Sequence, residues 1–291
     1  MLIAAGLVDH LVDHPWFQVR IGGMTVTLMS SAIAAMVLAA LILPLLVIPA
    51  ARKAQRVPTG GRNVVEALVL FVRNMIARPA LHERAYDYLP FLLTLFTFIL
   101  SMNLIGLMPL PAITALLHLP KVGAATGVLS VAGGLAGVTF LTVVFSGFKR
   151  AAVKAREHHR WPMPVAIALS PVLWMKSLAP HIPGAVGAVL LVPLMLLELV
   201  GVIAKCGALM IRLFANMLAG HALFAAPMMF VAMGLSSYAR DKAGHVFYVA
   251  PVCVLAGVLA NILDLLVAFL QAYIFTYLSA MFIGLYAEPS H

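Results

Sequence analysis

Residues 194–226 read LMLLELVGVIAKCGALMIRLFANMLAGHALFAA, 33 positions between Pro193 and Pro227 that contain no proline and only three charges. At 1.5 Å per residue, a helix over them is ~50 Å long, well beyond a hydrocarbon core of ~30 Å. The stretch is therefore either one strongly tilted helix or two crossings with a hidden turn. Gly201, Gly207 and Gly220 do not decide between the two, because glycine is common in membrane helices. The favoured expectation is a pair of long tilted helices, over 184–235 and 246–287, joined antiparallel near SSYARDKAGH at 236–245; four short spans are the alternative.

Outward from this stretch the composition agrees. Of 291 residues, 63% are hydrophobic and 10% charged, where an ordinary globular domain carries roughly a quarter charged residues. That excludes a disordered chain and a disulfide scaffold. Cys206 and Cys253 both lie inside apolar runs and read as packing residues. Three further apolar regions, at 24–50, 88–110 and 122–148, complete an all-α polytopic membrane protein of about five membrane helices, one membrane domain over 1–291. Within the third, Gly133 and Gly137 form a small-xxx-small pair suited to close helix packing.

The formal charge of +9 does not describe a nucleic-acid binder. Twelve of the 19 Lys and Arg fall in two stretches, 52–84 and 149–160, beside apolar spans, as the positive-inside rule describes. The expected topology places 1–23 and the N-terminus outside, 51–87 and 149–183 in the cytoplasm or at the interface, and the C-terminus in the cytoplasm. The N-terminal residues lack a basic n-region and carry Asp9 and Asp13, which argues against a cleaved signal peptide. The apolar segment 162–183 contains five prolines and Lys176, so it reads as interfacial or re-entrant. If it crosses the bilayer, the last two spans invert.

The informative residues are the polar ones in the last two regions. Glu198, Lys205 and Arg212 are spaced by sevens, a drift of about 20° per step, so the three share a helix face, which Asn216 continues. Asn261, Asp264 and Gln271 form a second stripe. At about 2.5 to 3.5 kcal/mol each on insertion scales, four intramembrane charges represent something near 10 kcal/mol before pairing. Glu198 and Lys205 can neutralise one another to fix packing. Arg212 has no such outlet, since a guanidinium does not shed its proton and the acid on its own helix is two heptads away.

An antiparallel pair of helices turning near residue 241 or 242 sets residues of equal depth at numbers that sum to about 483. Arg212 and Gln271 sum to 483, His221 and Asp264 to 485. One depth then holds a permanent cation beside an amide that can orient it; the other holds an imidazole and a carboxylate that can accept and pass protons. His221, nine residues after Arg212, lies about 180° around the helix from it.

At these residues the chain resembles subunit a of the F-type ATP synthase. LLELVGVIAKCGALMIRLFANMLAGH at 196–221 looks like that family's signature, LDLLVAFLQAYIFTYLSAMF at 263–282 like its terminal helix, and FILSMNLIGLMPLP at 98–111 is a weaker match. The resemblance implies that Arg212 is the obligatory stator charge, with Asn216 four residues on. It implies an exchanged acid and imidazole, His221 on the first helix and Asp264 on the second. Gln271 corresponds to the family's last-helix glutamine, Glu198 and Lys205 to polar positions on the cytoplasmic side, and Asn103 to an asparagine of the outer half-channel. The third span, reading GAATGVLSVAGG at 123–134, lacks the Asp and Asn that commonly open it in the family.

The resemblance also implies partners and a mechanism. A ring of subunit c hairpins, each with a membrane carboxylate, turns against this subunit, while the peripheral-stalk subunit b and the rest of the synthase complete the assembly. The coupling ion is H⁺ or Na⁺, with no cofactor or metal bound, and the chain is itself non-catalytic. The expected setting is an energy-coupling membrane such as a bacterial inner membrane. Two rivals come from other classes. A stand-alone secondary transporter calls for inverted repeats or paired broken helices, and an intramembrane enzyme for motifs such as H-E-x-x-H or G-x-S-x-G; the sequence has none of these.

Overall fold

In the computed structural model the described residues are 15–21, 24–51, 60–108, 127–159, 163–178, 185–241 and 246–287. Two strands, β1 (Pro15–Ile21) and β2 (Met24–Ser30), pair antiparallel from Ile21↔Met24 to Pro15↔Ser30, with a bulge near Phe17. Six long helical stretches follow. They are α1 (Ser31–Ala51), α2 (Gly61–Phe71), α4 (Ala85–Leu107), α5 (Leu129–His159), α7 (Ala185–Asp241) and α8 (Val246–Ala287). Between α2 and α4 the chain passes through a π-helical stretch, Val72–Ala77, the short α3 (Arg78–Leu81) and a 3₁₀ turn, His82–Arg84. A further helix, α6 (Met163–Leu178), lies in the proline-rich segment.

The first apolar region does not enter its helix at Met24, because Met24–Ser30 is strand and α1 begins at Ser31. Ser30 makes the change, ending β2 and accepting the Ile33 amide on its Oγ at 3.3 Å, the geometry of a helix N-cap. Five helical runs among the described residues are long and apolar enough to cross a membrane: Ser31–Pro49, Gly61–Leu107, Leu129–Arg156, Val192–Gly220 and Ala250–Leu285. The third span starts at Leu129 and α5 continues to His159, carrying Lys149, Arg150, Lys154 and Arg156 on helix rather than loop; residues 122–126 lie outside the described residues. The α6 helix tolerates Pro164 in its first turn, where the missing N–H has no partner to lose, and carries Pro171 inside it. Its 16 residues fall short of the ~20 that a crossing needs.

The long regions are single helices: 57 residues in α7 and 42 in α8, the latter through Pro251. At 1.5 Å per residue α7 has ~86 Å of helix, nearly three core thicknesses. The join was expected over 236–245; residues 236–241 instead continue α7 as helix, and residues 242–245 lie outside the described residues.

The fold divides into two compact units, Met1–Ala67 with Thr94–Ala132 and Arg212–Ile274, and Leu68–Leu93 with Gly133–Ile211 and Phe275–His291. In the first, α1 buries Ala32, Ala35 and Ala39 while Leu38, Leu41 and Leu45 are exposed. This is the membrane pattern, with small residues at helix contacts and large apolar ones left to lipid. Phe96 of α4 meets Phe269 of α8 edge to face, ring centroids 5.7 Å apart, and Ile99, Met102, Leu213 and Met217 are buried in the same unit.

The second unit is knit by close backbone approaches. Gly147 of α5 lies against the Trp174 indole of α6, with Phe148 edge-on to the same ring at 5.3 Å. Thr139 and Ser279, both fully buried on α5 and α8, bring their hydroxyls within 3.4 Å while each donates to its own helix's carbonyl, Leu135 and Phe275. Gly284 of α8 sits on the carbonyl oxygen of Ala80, a backbone atom that cannot move aside. Gly284→Ala is therefore expected to cost about 1–3 kcal/mol through overpacking. A thermal melt of the purified chain reads this as a lower midpoint, whereas Gly134→Ala, facing open space, leaves the midpoint unchanged.

Candidate ion-translocation site

On α7, Val202, Cys206, Leu209, Leu213 and Met217 are buried, a stripe at intervals of four, three, four and four. The polar residues Glu198, Lys205, Arg212 and Asn216 fall on a face about 80° around the helix from that stripe. Arg212 is the most exposed of them, at the border between the packed stripe and the lipid-facing side. Next to it on the outer side run Ala204, Ala208, Ala215 and Ala219, all exposed. A surface of small side chains there lets another helix come close to the guanidinium. Among the described residues Arg212 is in no ion pair; the pair on its helix is Lys205 with Glu198, Nζ to Oε1 at 3.5 Å, both side chains about a third exposed.

Arg212, Asn216, His221, Asn103, Asp264 and Gln271 belong to one unit, Glu198 and Lys205 to the other. Within the first unit the clearest contact between α7 and α8 is at Gly220. A β-carbon there would stand 3.1 Å from Asp264 Oδ1 and 3.2 Å from Cγ and Oδ2. The carboxylate thus rests on the α7 backbone, one residue before His221. His221 is helical in α7, and its side chain lies outside the described residues. Gly220→Val should push the carboxylate off this seat and lower ion flux, ångström-scale misplacement of a reacting group costing up to about 100-fold. Proton uptake by vesicles carrying the variant complex is the measurement.

The second stripe resolves into unequal members. Asn261 is exposed, Asp264 half-buried and Gln271 only 4% exposed. Asn103 of α4, 2% exposed, donates through Nδ2 to the Ala268 carbonyl of α8 at 3.3 Å, one helical turn from both Asp264 and Gln271. Asn103 Oδ1 and Gln271 Nε2 are buried with no hydrogen-bond partner among the described residues. Orphaned buried amide atoms cost about 1–3 kcal/mol each, so they ordinarily mark bound water or a ligand. Asp264, Asn103 and Gln271 thus gather polar groups along two turns of α8.

Sequence reasoning weighed Gly220 only as a turn signal, not as a contact, and overlooked the alanine row. Both were readable, the first as the small residue preceding His221 and the second as four alanines spaced by four, seven and four.

The family model for the ATP synthase A chain matches residues 32–284. ATP synthase subunit a 2 of Chlorobaculum tepidum is 36% identical over 232 residues, 80% of this chain and 54% of that protein. ATP synthase subunit a of Myxococcus xanthus is 36% identical over 241 residues, 82% of this chain and 65% of its own length. That of Chloroherpeton thalassium is 32% identical over 272 residues, 92% and 69% of the two chains. The chain thus spans roughly half to two thirds of the length of these relatives.

Proposed function

This chain belongs to the ATP synthase A chain family, and from that premise we propose that it is the ion-translocating stator subunit of a rotary ATP synthase. It is a non-catalytic, multi-pass membrane subunit. Its partners are a ring of subunit c hairpins, the peripheral-stalk subunit b and the remainder of the complex. The N-terminus is outside and the C-terminus cytoplasmic, since the two basic stretches then face the cytoplasm.

Two offset half-channels carry protons to and from the ring carboxylates. His221, Asp264 and Asn103 line the outer one; Glu198 and Lys205 stand at the inner exit. A ring carboxylate is protonated while it faces lipid, because burial of its charge is costly, and it ionises when it reaches Arg212. Arg212 therefore divides the two half-channels, stopping a protonated site from passing. Asn216 extends its polar face, and Gln271 orients the guanidinium from the facing helix. The driving force is about 2.3 kcal/mol per charge per 100 mV, converted to rotation.

The observation that carries this reading is the placement of Arg212. It is exposed within a long apolar helical run, beside a row of exposed alanines along which a rotor helix can pass closely. The contact of Gly220 with Asp264 supports the antiparallel register, since those numbers sum to 484, and the orphaned Asn103 and Gln271 amides support a hydrated path. Isolation of the intact complex tests the assembly. A carboxylate-bearing ring of small hairpins should co-purify with this chain, whereas ion transport by the isolated chain in vesicles would point to a stand-alone transporter.

A further inference from the structure

The described residues of the second unit hold a cavity of about 680 Å³, between the start of α4 and the middle of α5, that the ion path does not use. Its charged lining is Arg84, Lys149 and Arg150 against one acid, Asp87. Three cations against one acid give the lining a net positive charge. Below them on α5 an apolar stripe, Val138, Leu141 and Phe145, lines the cavity beside Thr142 and Ser146 and is exposed at 49%, 52% and 65%. With Lys149 they recur at intervals of three and four, so they form one helix face.

We propose that this cavity binds an anionic phospholipid, its phosphate held by Lys149, Arg150 and Arg84 and an acyl chain lying along Val138, Leu141 and Phe145. The dimensions favour a lipid over a soluble phosphate. From Val138 to Lys149 is 11 residues, ~16 Å of helix, about half of a ~30 Å hydrocarbon core and hence one leaflet deep. A soluble anion has no use for so long an apolar stripe. The arginines grip phosphate oxygens as a planar fork and the lysine acts as a point charge. Basic pockets of this kind between membrane helices are suited to anionic headgroups.

The test is lipid occupancy of the purified chain by native mass spectrometry, titrating phosphatidylglycerol or phosphatidylcholine. Each cation near an anionic headgroup contributes about fivefold in affinity, so K149Q/R150Q should weaken phosphatidylglycerol binding about 25-fold and leave phosphatidylcholine binding unchanged. The charge-conserving K149R/R150K should bind as the parent does, which separates loss of charge from loss of packing. Excess inorganic phosphate should not displace the lipid. Equal binding of the two lipids by the parent chain, or undiminished phosphatidylglycerol binding by K149Q/R150Q, overturns the proposal. Displacement by inorganic phosphate alone also overturns it, assigning the site to a soluble anion. Occupancy does not depend on rotation, so its failure leaves the ion-path reading standing.

Discussion

Arg212→Ala is expected to lower ATP synthesis driven by an imposed proton gradient by roughly 100-fold or more in vesicles carrying the assembled complex, the scale on which loss of one placed charge acts at a low-dielectric site. The argument runs from the cost of charge in the membrane. Without the guanidinium, a ring carboxylate has no reason to ionise at the stator, and a protonated site can pass without yielding its ion. Arg212→Lys is expected to fail as well. A lysine ammonium is a strongly hydrated point charge on a flexible stem, whereas the guanidinium is planar and permanently charged. The alanine row beside Arg212 allows a close approach, and a closer partner is more sensitive to the shape of the cation it meets. Coupled synthesis at the parent rate in Arg212→Lys would show that only the sign of the charge matters.

Asp264→Asn is expected to slow proton uptake by roughly 100-fold, the lower range for removing a placed acid or base. The amide keeps the shape of the side chain and its seat on Gly220 but carries no exchangeable acid proton. Gly220→Val perturbs the same contact from the opposite helix and leaves the carboxylate in place, so it should have the smaller effect. The pH dependence of uptake separates a relay from a packing role. Loss of Asp264 should shift the profile, since one titrating member of the path is gone; a profile of unchanged form with merely reduced amplitude would make Asp264 structural.

Much of this architecture was legible in the amino-acid order, and the reasons differ by element. The apolar regions needed only hydropathy and length, while the proline-free stretch between Pro193 and Pro227 marked only the middle of α7, which runs on through both prolines. The Gly220 contact lies one residue from the equal-depth sum, because antiparallel helices with the same rise allow depth to be counted along the chain. The β1–β2 pair was missed although Gly22 and Gly23 stand between QVRI and MTVT, a hairpin signal obscured by the apolar run that follows. α6 formed despite its prolines because one falls in the first turn, where no amide is needed.

Burial was harder to read. In lipid, both the packed and the exposed sides of a helix are apolar, so hydrophobic periodicity carries little information and side-chain size takes over. The small-in, large-out pattern of α1 and the alanine row of α7 become visible only on that scale. Asn261 and Gln271 look equivalent in the chain, yet one is exposed and the other buried, because α4 packs on α8 through Asn103 and Phe96. That packing joins residues 165 positions apart, beyond the reach of local pattern.

The central claim is that Arg212 divides two half-channels rather than conducting within either. Passive proton flow through the membrane sector, measured in vesicles stripped of the catalytic head, tests this directly in Arg212→Gln. The account predicts that passive flow persists or rises while coupled synthesis is lost, because the barrier between the half-channels is gone and the path on each side is intact. Passive flow abolished together with synthesis would contradict it, placing Arg212 in the conducting path itself.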